Sequence, residues 1–146
     1  MTADGIWGFV ALEYYWLILN RRYLVTVGPA KIVGLRVGGV VVSPSRFSPG
    51  MDSPNPLDYV DSDLEDSYDG VDPFSVTALR MDSANFSIDR ASVTSVAFYR
   101  AKWGMGAVPY SGRVVLYSDR RRIKELIFLG DQDGAGIARK LGAAAF

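Results

Sequence analysis

Apolar and polar residues alternate through the first third of the chain. Residues 14–19 are aromatic and aliphatic, and Asn20-Arg21 offers a place to turn. Residues 22–27 continue with period two: Tyr23, Val25 and Val27 fall on one face, Leu24 and Thr26 on the other. That is the spacing of a strand. Gly28-Pro29-Ala30 predicts a turn, because proline presets φ and glycine accepts either sign of it. Residues 31–42 form the next strand, with Gly38-Gly39 marking a bulge or bend. Residues 4–19 are ambiguous on pattern alone. They read as a strand or as an N-terminal helix capped by Asp4.

The pattern breaks at residues 43–56, where four prolines exclude a central strand. A helix is then predicted from Asn55 as N-cap and Pro56 at the first helical position. Leu57, Val60, Leu64 and Tyr68 make its apolar stripe, and Gly70 is placed to end it. Residues 43–85 thus read as an insertion carrying one acidic surface helix. Strand spacing returns at 86–88 and 93–100. A loop at 101–112 follows, then a hairpin of residues 113–118 and 122–129 around Asp119-Arg120-Arg121. Asp131 or Asp133 caps a last helix that ends at Leu141, with Ile137 and Leu141 facing inward. Gly134 and Gly136 weaken that helix by about 1 kcal/mol each relative to alanine, so it must be held by docking.

Consecutive strands on short turns imply antiparallel meanders. The fold class is mainly β, within α+β, and all 146 residues form one domain. The stretches NFSIDRASVTSVAFYR (85–100) and GRVVLYSDRRRIKELIFLGDQDGAGIARKL (112–141) resemble bacterial pleckstrin-homology (PH)-like domains. The resemblance lies in pattern: a last hairpin with a basic tip running into a closing helix. It implies a small antiparallel β-barrel, or two orthogonal sheets, with a C-terminal capping helix. The insertion at 43–85 departs from a minimal PH domain. Headgroup-binding members of that superfold carry basic residues around the first hairpin. Arg21 and Arg22 are the candidates here, without a supporting lysine cluster.

Composition then removes whole classes of chemistry. The chain has no cysteine and no histidine. Disulfides, thiolate nucleophiles, histidine-based triads and Cys/His zinc sites are excluded. A serine nucleophile would need a lysine base, and no Ser-x-x-Lys occurs. Sixteen basic and sixteen acidic residues cancel, so no global field attracts nucleic acid. The charge is nevertheless segregated. Residues 51–75 hold eight acidic groups and no basic one, while residues 76–146 hold eleven basic and six acidic.

The N-terminus lacks the basic start of a signal peptide. The apolar run 6–19 contains Glu13 and is short for a membrane helix. A cytoplasmic protein without an integral membrane segment is expected.

Three features carry candidate chemistry. The acidic run Asp58, Asp61, Asp63, Glu65, Asp66, Asp69 and Asp72 offers oxygens for a divalent cation, with Asp58, Glu65 and Asp69 near one line of the proposed helix. The calcium-loop spacing fails, since Asp66 stands where glycine is needed. A solvated helix face accounts for the run. Arg120, Arg121 and Arg122 at a hairpin tip can anchor anions or simply protect an edge. The 101–112 loop carries Trp103, Met105 and Tyr110 where polar residues are usual, as contact residues or as a cover for one end of the sheet.

The function read from these features is a non-enzymatic binding module without cofactor, its partner another protein or a second copy of itself. Trp103, Met105, Tyr110, Arg120, Arg121 and Arg122 are the binding residues. Two alternatives stand beside it: a small-molecule or lipid-headgroup site at the barrel mouth, and a metal-dependent enzyme built on the acidic helix.

Overall fold

The computed structural model describes residues 5–16, 19–39, 53–100 and 109–143. Seven strands form one antiparallel sheet. They are β1 (Trp7–Trp16), β2 (Leu19–Val27), β3 (Lys31–Gly38), β4 (Phe86–Asp89), β5 (Ser95–Tyr99), β6 (Tyr110–Ser118) and β7 (Arg121–Leu129). Their spatial order is β4-β3-β2-β1-β7-β6-β5. Two meanders, β1 to β4 and β5 to β7, are therefore joined side by side through the first and last strands. The helices are α1 (Ser62–Asp66), α2 (Val76–Arg80) and the C-terminal α3 (Gly134–Ala143).

The sheet is not closed into a barrel, since β4 and β5 are its two edges. It is strongly coiled all the same. Only Arg90–Thr94 separate β4 from β5, a span of about 20 Å at full extension. The edges of a flat seven-stranded sheet would stand roughly 29 Å apart. The side chains show the wrap directly. Lys124 on β7 places its ammonium 4.1 Å from the ring centroid of Phe86 on β4, although β3, β2 and β1 lie between them in the sheet. Arg90 donates to the Gly28 carbonyl at 2.6 Å and to Lys140 O on α3 at 3.4 Å.

The coil encloses the main core: Phe9, Ala11, Tyr23, Val25, Val114, Leu116, Leu126 and Phe128, closed by Ala138 and Leu141 of α3. The opposite face of β1 and β7 is buried as well. Val10, Leu12, Ile127 and Leu129 pack against Tyr59. On the outside of β3, Val33 and Leu35 pack against Ala78, with Tyr68, Val71 and Phe74 around them. This two-sided burial explains the unbroken apolar runs. Phe9, Val10, Ala11 and Leu12 are all buried although neighbours point to opposite faces.

Several sequence expectations are corrected. Residues 7–16 are strand, one of the two readings open from the pattern, and Asn20 and Arg21 belong to β2 rather than to a turn, with Leu19 already paired to Trp16. The irregularity near Gly38-Gly39 falls one residue earlier. Arg22 pairs Gly38 and Tyr23 pairs Arg36, which leaves Val37 as the extra residue. Tyr110, Ser111 and Gly112 belong to β6 rather than to a loop, and the strand read over 93–100 is confined to β5.

The predicted acidic helix is broken in two. Asn55 caps a 3₁₀ turn, Pro56–Tyr59, after which Val60 is extended. The Asp61 amide donates to Val37 O at 2.7 Å, and the Asp61 carboxylate caps α1. Docking on the end of β3 takes the backbone bond that a continuous helix would need. Helix α2, capped by Ser75, had no clear apolar period in the sequence. Residues 53–85 are thus not a surface excursion. They cover the outer face of the sheet. Gly70 does adopt a left-handed φ, +72°, and Asp133 is the residue that caps α3, accepting from Gly136 N at 3.0 Å.

Two outcomes test this packing. Tyr59 is fully buried while Leu57 is 66% exposed. In urea unfolding, Tyr59→Ala is expected to cost about 3 kcal/mol or more and Leu57→Ala less than about 0.5. The Gln132 side-chain amide donates to Val10 O at 2.6 Å and Leu129 O at 2.8 Å, and accepts from Val10 N at 3.1 Å. Gln132→Ala strands those backbone groups, and a loss of about 2 kcal/mol is expected in the same measurement.

Candidate functional site

The structure separates the residues singled out from the sequence. Trp103 and Met105 lie outside the described residues. Asp119 and Arg120 form a two-residue hairpin turn with φ of 49° and 71°, the left-handed pair that suits the strand twist. Arg120, Arg121 and Arg122 are exposed there. The nearest carboxylate to Arg122 is Glu125, at 3.9 Å and also bound by Arg113. Tyr110 begins β6 at the opposite end of the same hairpin, paired with Leu129 and half-buried. The length of β6 puts it roughly 26 Å from the arginine tip. The two groups do not form one site.

A groove runs between β5 and α3. Its larger part, about 550 Å³, lies between Val96 and Phe98 on the strand and Ala135, Ala138, Arg139 and Gly142 on the helix. A second part of about 340 Å³ shares Phe98 and Ala135 and extends to Arg100, Tyr110 and Gln132. Tyr110 therefore lines the groove, while Arg120, Arg121 and Arg122 do not.

Local sequence explains this shape. A Cβ at Gly134 would lie 2.2 Å from Ser111 O, and one at Gly136 would lie 2.1 Å from the Asp133 carboxylate. Of the glycines that cost helix propensity, Gly134 lets the first turn of α3 press onto β6 and Gly136 makes room for the Asp133 cap. Farther along, small side chains leave room beside β5. That strand is an edge, and its sequence, SVAFY, contains no charge and no proline. The other edge, β4, is four residues long and ends in Asp89.

A cleft of about 420 Å³ lies elsewhere, beside the first hairpin, lined by Tyr15, Arg21, Arg36 and Asp82. Its arginines are already engaged. Arg21 lies 4.2 Å from the Tyr15 ring centroid and 3.6 Å from Glu13. Glu13 also takes Lys124 at 2.8 Å. Arg36 bonds Asp82 at 2.7 Å, and that bond raises the guanidinium pKa. Burial alone would push the Asp82 carboxyl up. The bonds from the Ala84 amide and from Arg36 outweigh it and hold the pKa below the ordinary value. Arg22, beside this cleft in sequence, donates to the carbonyls of Gly39 and Tyr59, and burial lowers its pKa. It fastens the covering segment to the sheet and does not face solvent as a free cation.

The acidic run is divided by the break at Val60, so Asp58, Glu65 and Asp69 share no helical line. Asp61 caps α1, Asp58 accepts from Ser53 at 2.5 Å, and Asp72 accepts from the Phe74 amide. Among the described residues no three carboxylates are grouped to hold a metal ion, and no helix is long and apolar enough to cross a membrane.

No protein-family model, curated protein or solved structure matches the chain.

The Asp82 shift gives a signed pH prediction. Its pKa is lower folded than unfolded, so its contribution is present above about pH 4 and is lost as pH falls further. Asp82→Asn is expected to destabilise by about 1–2 kcal/mol at pH 7. The gap between wild type and variant should narrow in denaturation curves taken between about pH 4 and pH 2.

Proposed function

We propose that this chain is a non-enzymatic protein-interaction module with a PH-like arrangement of strands and closing helix. In this reading it takes an extended segment of a partner protein along the free edge of β5, over the groove against α3. The observation that carries the reading is the β5 edge, which pairs with no further strand among the described residues. Natural sheets guard exposed edges with charge, proline or a covering element, and β5 has neither charge nor proline. An incoming strand would satisfy its outward backbone groups, and alternate side chains would enter the groove between Phe98 and Gly142. The two-meander strand order and the helix across one open side support the PH-like description. Trp103 and Met105 follow the end of β5 by four and six residues in the chain, which keeps them among the proposed contacts.

The test is a selection of extended peptides on the immobilised chain, followed by titration of the selected peptides against Ser95→Lys. Ser95 is exposed on β5, so a lysine there blocks strand addition without entering the core. Binding is expected to weaken at least tenfold, with the melting temperature changed by no more than a few degrees. Peptides that bind both proteins equally, or a selection that yields none, would overturn the reading.

A further inference from the structure

We infer that the segment taken by the β5 groove is acidic at both ends and apolar between them. This rests on the interaction-module reading above and specifies its partner. Arg139 stands on the helix side of the larger part of the groove, and Arg100 lines the second part, just past the end of β5. Both are exposed, and neither has an ion pair among the described residues. Among the described residues, the groove thus carries one guanidinium without an ion pair toward each end. Between them the lining is Val96, Phe98, Ala135 and Ala138, which offers apolar contact and no charge.

One carboxylate, Asp133, lines the second part of the groove with Arg100; it makes no ion pair with that arginine, and its Oδ1 accepts from the Gly136 amide as the cap of α3. Other arginines of the region are committed. Arg113 is bonded to Glu125 and lies over the Tyr99 ring, and Arg90 is bonded to Gly28 and Lys140 carbonyls. An extended chain rises about 3.3 Å per residue. Carboxylates several residues apart on such a chain would face Arg139 and Arg100, with apolar side chains at alternate positions between them. Guanidinium forks favour carboxylate partners over neutral amides.

The experiment uses three fluorescent nonapeptides with one shared core of alternating valine and threonine. They carry glutamate, glutamine or lysine near both ends. Binding to the full chain is read by anisotropy, and position by backbone amide NMR shifts. The glutamate peptide is expected to bind at least tenfold more tightly than the glutamine one at low salt. The advantage should shrink severalfold at 0.5 M salt. Arg100→Glu/Arg139→Glu should transfer the preference to the lysine peptide, with the fold kept, as both side chains are exposed.

Equal binding of all three peptides on β5 would sink the charge inference and leave the groove reading standing. No shift of β5 amides by any peptide at millimolar concentration would remove both. Glutamate-dependent binding that maps to Arg120–Arg122 would also overturn the inference. So would a concentration-dependent dimer of the protein alone, dispersed by the peptide in sedimentation, because it would give the groove to a second copy.

Discussion

The seam between β1 and β7 holds this molecule together. Each meander can form from neighbours in sequence, but a coiled sheet requires the first strand to meet the last. The ladder at that seam is short: Ala11 pairs Phe128 and Leu12 pairs Ile127. Past Leu129 the strand leaves at Gly130, and the Gln132 side chain takes over by bonding both the N–H and the C=O of Val10. A side-chain amide carries the same donor and acceptor as a peptide group, so it continues the ladder where the backbone has turned away. The same residue starts the chain toward α3, which ties closure of the core to closure of the sheet.

Burial on both faces follows from that seam. Strands at the middle of a coiled sheet present one face to the interior and the other outward. The outward faces of β1, β3 and β7 are too apolar to be left wet. Residues 53–85 supply the cover, with Tyr59 over β1 and β7 and Ala78 over β3. Asp61 and Asp72 cap local turns and Asp82 reaches back to Arg36 on β3, so a segment with strong negative charge also serves as a structural wall. Arg22 fixes it by donating to Gly39 and Tyr59 carbonyls from inside the first hairpin.

The β5 edge differs from the rest of the sheet because the covering segment does not reach it. Helix α3 lies tight against β6 at its glycine-rich start, yet its small residues leave the groove open beside Val96 and Phe98. A strand edge, an apolar channel and two arginines without an ion pair among the described residues thus coincide on one side of the molecule. The first-hairpin cleft has more charged groups. There each arginine already faces a carboxylate, so its charge is spent within the fold.

Local chemistry was legible in the sequence. Period-two alternation in β2 and the Asp119-Arg120 hairpin were readable, as were Asn55 as a cap, the closing helix and a cap for it at Asp131 or Asp133, because each depends on residues a few positions apart. The mainly antiparallel β class followed from the order of those elements. What the sequence could not show was set by contacts across large separations. The break at Val60 depends on a bond from Asp61 to Val37, and the burial of Tyr59 depends on β1 and β7. The groove depends on how closely Gly134 lets α3 approach β6. Arg21 and Arg22 read alike in sequence, but Arg22 is half-buried and bonded to the cover, and Arg21 lines a cleft. Spacing along the chain determines which backbone conformation each segment prefers. Only tertiary packing decides which faces are covered and which edge stays free, because burial is a property of neighbours that the chain brings together from afar.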